Sequence, residues 1–237
     1  MGISTKYRTK EPEIMDDFSL EGEELRSALD KIAGINRLLG GNKLTLNGVK
    51  ELIEGVDKSR EITIVDIGCG NGDMLRMLAE YAVTANLKLN LIGIDANQFT
   101  IDYAKKLSAD FNNIFYTCID IFTPEFETMR YDIALCTLTL HHFSDEQILQ
   151  IMATFNRNAA IGVVVNDLHR SKAAYRLFAL ICKVFSLNRM SREDGLVSIL
   201  RGFRKGELEQ FSKKLGLKKY SIHWRWAFRY QWIISNI

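Results

Sequence analysis

Five short runs rich in apolar and β-branched residues recur along the chain, separated by stretches with helical spacing, and that alternation limits the fold more than any other feature. The runs are ITIVDI at 62–67, LNLIGI at 89–94, the segment 114–118, DIALCTL at 132–138 and AIGVVVN at 160–166. Between and after them, 73–83, 98–109, 145–157, 172–186 and 205–215 place apolar residues at helical intervals. Strands that alternate with helices predict an α/β chain with a doubly wound parallel sheet. The tail, 217–237, holds two aromatic, β-branched runs with no room for a crossover helix, so it predicts an antiparallel hairpin. Ahead of the first strand, helices are expected at about 21–39, closed by Gly40–Gly41 as a C-cap, and at about 46–56. These mark 1–58 as a helical N-terminal cap and 59–237 as the main domain.

At 237 residues, 47% of them hydrophobic, the chain can fill one core, and Pro12 and Pro124 are too few to mark a linker. No apolar run reaches bilayer length, and the start lacks the charged-then-apolar order of a secretory signal. Cys69, Cys118, Cys136 and Cys182 are widely separated, with no Cys-x-x-Cys pair and no Cys/His cluster at zinc spacing, so reduced thiols, a cytoplasmic address and no structural metal are expected. The net charge of +2 hides an asymmetry: the stretch from Glu11 to Asp30 is strongly acidic, whereas Asn166 to Tyr230 carries a clear excess of Lys and Arg. That basic third would suit nucleic acid, an anionic membrane surface or an acidic substrate, although lysine-rich solvated faces are commoner and nucleic acid is not favoured.

The first strand runs into IVDIGCGNGDM, with Gly68, Gly70 and Gly72 spaced two apart. A dinucleotide fingerprint needs Gly-x-Gly-x-x-Gly, and the third position here is Asp73; a phosphate-binding P-loop needs Lys followed by Ser or Thr, and the turn offers Asp73–Met74. What remains is an acid at a strand end, Asp66, followed by Gly-x-Gly-x-Gly. This resembles the first motif of the class I S-adenosylmethionine (SAM) methyltransferases. The glycines allow close backbone approach, and an acid complements a ligand whose amino-acid end is an ammonium beside a sulfonium.

The resemblance implies further cofactor residues. Asp95, closing LIGIDAN, corresponds to the carboxylate that accepts hydrogen bonds from both ribose hydroxyls, with Ala96 and Asn97 flanking the adenine. Asp120, in TCIDIF, corresponds to the acid that receives the adenine amino group, with Ile119 or Ile121 as an apolar face. Three acids after three successive strands lie where doubly wound sheets bind ligands. Cys69, within the turn, Cys136, read as a small strand-end residue, and Arg37, a partner for the SAM carboxylate, complete the expected cofactor set.

The fourth strand carries CTLTLHHFSD. It lacks the Pro-Pro-aromatic motif of amino-group methyltransferases, and Cys136 lacks the setting of a pyrimidine nucleophile. Leu-x-His-His-Phe resembles instead the small-molecule O- and C-methyltransferases, including the ubiquinone and menaquinone biosynthesis group. His142 or His141 is the expected base, since an imidazole can take the proton of a phenol at neutral pH; His141 is equally a SAM contact. After the fifth strand, VVVNDLHRSK offers Asp167 and His169 as an alternative orienting group or base, with Asp167 and Arg170 as acceptor contacts. The segment 167–204 is expected to act as a substrate lid, and helix 172–186 could face a greasy substrate, a second copy of the chain or a membrane surface. Arg201 and Arg204 are further candidates for closing the acceptor pocket.

The expected protein is therefore a class I SAM-dependent methyltransferase with a Rossmann-like seven-stranded sheet, acting on an oxygen or carbon of a small aromatic acceptor as a monomer or homodimer. Two alternatives stand beside it: an RNA or protein methyltransferase using the basic third, and a SAM-binding protein without catalysis.

Overall fold

A computed structural model describes residues 3–184 and 187–237. Seven strands form one mixed sheet: β1 Glu61–Ile67, β2 Lys88–Asp95, β3 Ile114–Cys118, β4 Tyr131–Thr137, β5 Ala159–Leu168, β6 Tyr220–Arg225 and β7 Arg229–Ser235. Their order is β3-β2-β1-β4-β5-β7-β6. The pairs from β3 through β5 are parallel, and β7 runs antiparallel to both β5 and β6. The alternation read from the sequence and the terminal hairpin are both present.

Helices cover both faces. On one lie α2 Gly41–Leu52, α3 Asp73–Ala85 and α4 Gln98–Leu107; on the other lie α5 Pro124–Thr128, α6 Asp145–Asn158 and α9 Lys205–Lys214. The period of two along each strand sorts the core. Ile62 and Ile64 of β1, Ile133 and Leu135 of β4 and Ile233 of β7 pack toward α2 and α3, while Val65, Ile67, Ala134, Cys136, Trp232 and Ile234 pack toward α6 and α9. Each face thus buries its own apolar set, which fixes the register of the strands.

Three differences from the sequence reading have physical causes. Gly40 does end α1 (Glu23–Leu38) with φ +78°, but Gly41 already opens α2, five residues earlier than expected. That helix packs against β5 and β7, so it belongs to the sheet's helical layer. Strand β5 continues through Asp167 and Leu168, because β7 pairs with it that far. The expected lid resolves into α7 Lys172–Val184 and α8 Arg189–Arg201, the second of which no periodicity announced; the predicted end of helix 172–186, at 185–186, lies outside the described residues. Helix α8 is hard to see because much of what it buries is polar: Ser191, Asp194, Ser198 and Arg201 are buried, and the last three contact the N-terminal segment.

That segment is a strap. Arg8 donates to the carbonyls of His141, Phe143 and Arg201 and pairs with Asp145. Asp194 accepts from the backbone N–H groups of Ile14 (2.7 Å) and Met15 (3.0 Å), and Asn97 Nδ2 holds the carbonyls of Phe18 and Leu20. No helix among the described residues is long and apolar enough to cross a membrane.

Candidate active site

One cavity of about 650 Å³ opens at the carboxyl ends of the parallel strands, within the ~300–1,000 Å³ typical of ligand sites. Its floor is the turn after β1. Gly68 (φ +67°), Gly70 (+52°) and Gly72 (+78°) all adopt the left-handed conformation that a side chain disfavours. Space reinforces the demand at two of them. A Cβ on Gly68 would lie 2.4 Å from Thr139 Oγ1, and one on Gly72 2.0 Å from Tyr116 Oη. At Gly70 only Leu29 Cδ2 comes within 4 Å, at 3.8 Å, and Leu29 itself lines the cavity. Gly70 leaves room for a ligand rather than for the protein.

Acids surround this turn. Asp66 is buried at the end of β1, and its carboxyl is pushed well up by desolvation and by the neighbouring Asp73 and Asp95. Asp95, at the end of β2, accepts from Gly70 N–H (3.3 Å) and Asn97 N–H (3.1 Å), which leaves lone pairs for two further donors; burial raises its pKa as well. Asp120 is exposed at the cavity wall, and its Oδ1 accepts from Phe122 N–H. Cys69, Ala96, Ile119 and Ile121 also line the cavity. A cluster of desolvated carboxylates suits a cationic ligand such as the ammonium and sulfonium end of SAM, and Asp95 and Asp120 have acceptor capacity left for hydroxyl and amino donors. The residues present fit that cofactor.

The opposite wall carries the histidines. His141 is buried; Nδ1 donates to Asp167 Oδ1 at 2.7 Å, and its backbone N–H donates to Asp167 Oδ2. Burial works against its proton, yet Asp167 and Glu13 outweigh it and raise the imidazole to about 9. His142 is half-buried against the cavity, with Nδ1 2.6 Å from Asp16 Oδ1. Its ring lies 4.3 Å from that of His141. The strap acids Glu13 and Asp16 both have lowered pKa values: burial raises them, but the histidine hydrogen bonds and, for Asp16, that of Arg201 win. One atom each of Glu13, His141 and His142 lie within 4.8 Å of one another, and Arg201 Nη1 stands 3.5 Å from Glu13 Oε1. Positive charge already reaches that carboxylate, and the cluster reads as an ion-pair network. Leu138 (φ +55°) and Phe228 (+56°), both lining the cavity, hold side chains in left-handed backbone, strain of the kind that collects at functional sites.

Several expected site residues lie elsewhere. Arg37 is exposed on the last turn of α1, away from the cavity. Cys136 points to the α6 face by strand alternation and sits in the core, its thiol pushed up by burial. Asn97 borders the cavity, but its side chain caps α4 through Thr100 N–H and holds the strap. Asp167 is buried behind His141 and so acts through that ring. Arg170 is buried and saturated: it binds the carbonyls of Thr5, Lys6 and Gly202 and pairs with Glu207. His169 accepts from Trp224 Nε1 at 3.1 Å and stacks on Phe228, outside the cavity lining. Arg204 is exposed at the start of α9, whereas Arg201 does reach the site, through Asp16 Oδ2 (2.6 Å) and the His142 carbonyl. The sequence reading missed Glu13 and Asp16 because an acidic, helix-poor stretch looks solvated until α8 covers it.

Residues 64–162, which hold the glycine turn and the acids, match the family model described as a methyltransferase domain. No curated protein matches the sequence significantly. Among solved structures, the plantazolicin methyltransferase BpumL bound to S-adenosylhomocysteine (SAH) is similar at 18% identity and a TM-score of 0.64, covering 88% of this chain and 89% of that one. The magnesium protoporphyrin IX methyltransferase ChlM from Synechocystis PCC 6803, with SAM bound, gives 12% and 0.55 over 86% and 84%. The CurJ carbon methyltransferase gives 15% and 0.59 over 81% of this chain and 53% of that one. The fold is therefore that of the class I methyltransferases, with the antiparallel hairpin and a helical N-terminal region.

Proposed function

We propose that this protein is a methyltransferase that uses SAM to methylate an oxygen or carbon of a small, largely apolar aromatic acceptor. The observation that carries the reading is the continuity of one cavity: the glycine turn and Asp66, Asp95 and Asp120 form one end, while Leu177, Phe178 and Ile181 of α7 and Ile199 of α8 form an apolar wall. The neighbours, named for plantazolicin, magnesium protoporphyrin IX and carbon methylation, support methyl transfer without selecting among acceptors.

When bound, SAM supplies an electrophilic methyl on a sulfonium. The chain contributes position and a dry site, the larger part of what such an in-line displacement needs. Asp95 and Asp120 hold the nucleoside, and Asp66 faces the cationic end. His142 takes the acceptor's proton at Nε2, with Asp16 on Nδ1 orienting the ring and Glu13 Oε2 3.8 Å from Nε2; the buried His141–Asp167 pair holds the 140–142 turn in place. Helices α7 and α8 with the strap form the lid over the acceptor.

A radiolabelled-methyl screen against phenols, quinols and total RNA tests the reading. Label in an aromatic supports it, label in RNA replaces it with the macromolecular reading, and SAM binding without label on any acceptor leaves a SAM-binding protein.

A further inference from the structure

Arg229, the first residue of β7, is 3% exposed and lines the cavity. It is the one Lys or Arg among the described lining residues, in a wall whose other charged members are acidic or histidine. Two of its donors, Nε and Nη1, are buried with no hydrogen-bond partner. The contrast with Arg170 is informative. That guanidinium is as deeply buried, but its donors are taken up by three carbonyls and Glu207, as a structural arginine requires. The carboxylate that acts on Arg229, Asp167, is committed to His141 and the Leu168 N–H. Burial lowers Arg229 only to about 10, so it stays charged at neutral pH.

Placement indicates which ligand it serves. Gln231 and Ile233 of β7 meet α2, through the Leu44 carbonyl and the Val49–Leu52 cluster, and Arg229 shares their face. A Cβ on Gly41 would lie 1.8 Å from Asn36 Oδ1 and 3.1 Å from the guanidinium carbon, so the absent side chain of Gly41 leaves space for both. The acids of the cofactor cradle stand on β1, β2 and β3, and β7 lies three strands beyond β1, roughly 14 Å across the sheet. Beside Arg229 the lining is Leu168, its register partner, Phe228 and, at Gly41, Asn36.

We infer that Arg229 is an anion subsite that binds a carboxylate on the acceptor, making the substrate an apolar aromatic acid; this rests on the methyltransferase reading. A guanidinium presents two parallel N–H donors to a carboxylate through Nη2 paired with either Nε or Nη1, and a site built around such a pair rejects an isostere that cannot accept both. The empty donors are the features a bound acid would fill.

The test is calorimetry on the SAH complex with a matched pair of probes, 1-naphthoate and 1-naphthamide, for wild type and Arg229→Met, with SAH titrated separately and thermal unfolding recorded without ligand. The wild type should bind the acid at least tenfold more tightly than the amide. Arg229→Met should lose that difference, keep SAH affinity within twofold and unfold at the same or a higher temperature, because it removes a buried unpaired charge. Equal binding of acid and amide by wild type, or binding of neither, overturns the inference whatever the variant does. A tenfold loss of SAH affinity in Arg229→Met overturns it too, by giving Arg229 to the cofactor's own carboxylate. Failure of the wild type to bind SAH at all would show in the separate titration and would remove the methyltransferase reading itself.

Discussion

Replacing Gly70 by alanine separates the ligand's demand on the turn from the protein's own. The backbone there has φ +52°, which costs an L-residue about 1–2 kcal/mol, partly offset by roughly 0.4–1 kcal/mol from the stiffer unfolded chain. The added methyl meets no protein atom closer than Leu29 Cδ2 at 3.8 Å, so no steric term adds to this. A net loss of about 1 kcal/mol lowers the unfolding temperature by roughly 2–4 °C for a chain of this size. The methyl does project into the cavity, where overpacking against a bound ligand costs about 1–3 kcal/mol, or roughly 5- to 150-fold in SAM affinity. Gly72→Ala should show the opposite balance. Its Cβ would stand 2.0 Å from Tyr116 Oη and break the 2.8 Å contact with Ser108 Oγ, so the backbone cost is joined by about 1–3 kcal/mol for the displaced hydroxyl. Calorimetry with SAM and thermal unfolding of both variants read the two numbers. Wild-type SAM affinity in Gly70→Ala would refute the placement of the cofactor against this turn.

The remaining predictions concern the strap and the histidines. His142→Ala should cut turnover by about 10²- to 10⁴-fold with SAM affinity nearly unchanged, and near-normal turnover would return the ring to a structural role. Asp194→Ala removes both carboxylate contacts to the strap at Ile14 and Met15, so limited proteolysis should cleave within 10–20 faster than in wild type while the sheet stays protected in hydrogen exchange; unchanged cleavage would show that Asp194 does not anchor the strap. Stability should depend on pH in a defined window. His141 is raised from 6.5 to about 9, so its contribution, roughly 3 kcal/mol, is complete below pH 6.5 and is lost as pH climbs through 9. Glu13, Asp16 and Asp167 are lowered, so theirs is present above the ordinary carboxylate range and is lost on acidification. The unfolding temperature should therefore peak between about pH 5 and 6.5, and a flat profile from 6.5 to 9 would contradict the His141 pairing.

What the sequence makes legible is what local chemistry dictates. Apolar runs at strand length, the glycine turn and the acids at strand ends are set by residues within a few positions of one another, and Asp66, Asp95 and Asp120 all reach one cavity. Residues chosen only for following the fifth strand fared differently. Asp167 lies inside β5 because pairing with β7 lengthens the strand, and alternation then turns it behind His141. His169 and Arg170 are held by Trp224 and Glu207, partners 55 and 37 positions away that no spacing rule connects. Glu13 shows the same limit from the other side: its partners Ser198 and His141 come from α8 and the turn after β4, so burial of an acid in an acidic stretch becomes visible only once the chain is folded.

The claim on which the rest depends is that the turn and its acids bind SAM. Titration of SAM into wild type and into Asp95→Ala, followed by calorimetry, addresses it directly. The account predicts one-site binding by wild type and at least a hundredfold loss in the variant, because removing the carboxylate strands two ribose hydroxyls. No binding by wild type, or equal affinity in both proteins, would contradict it.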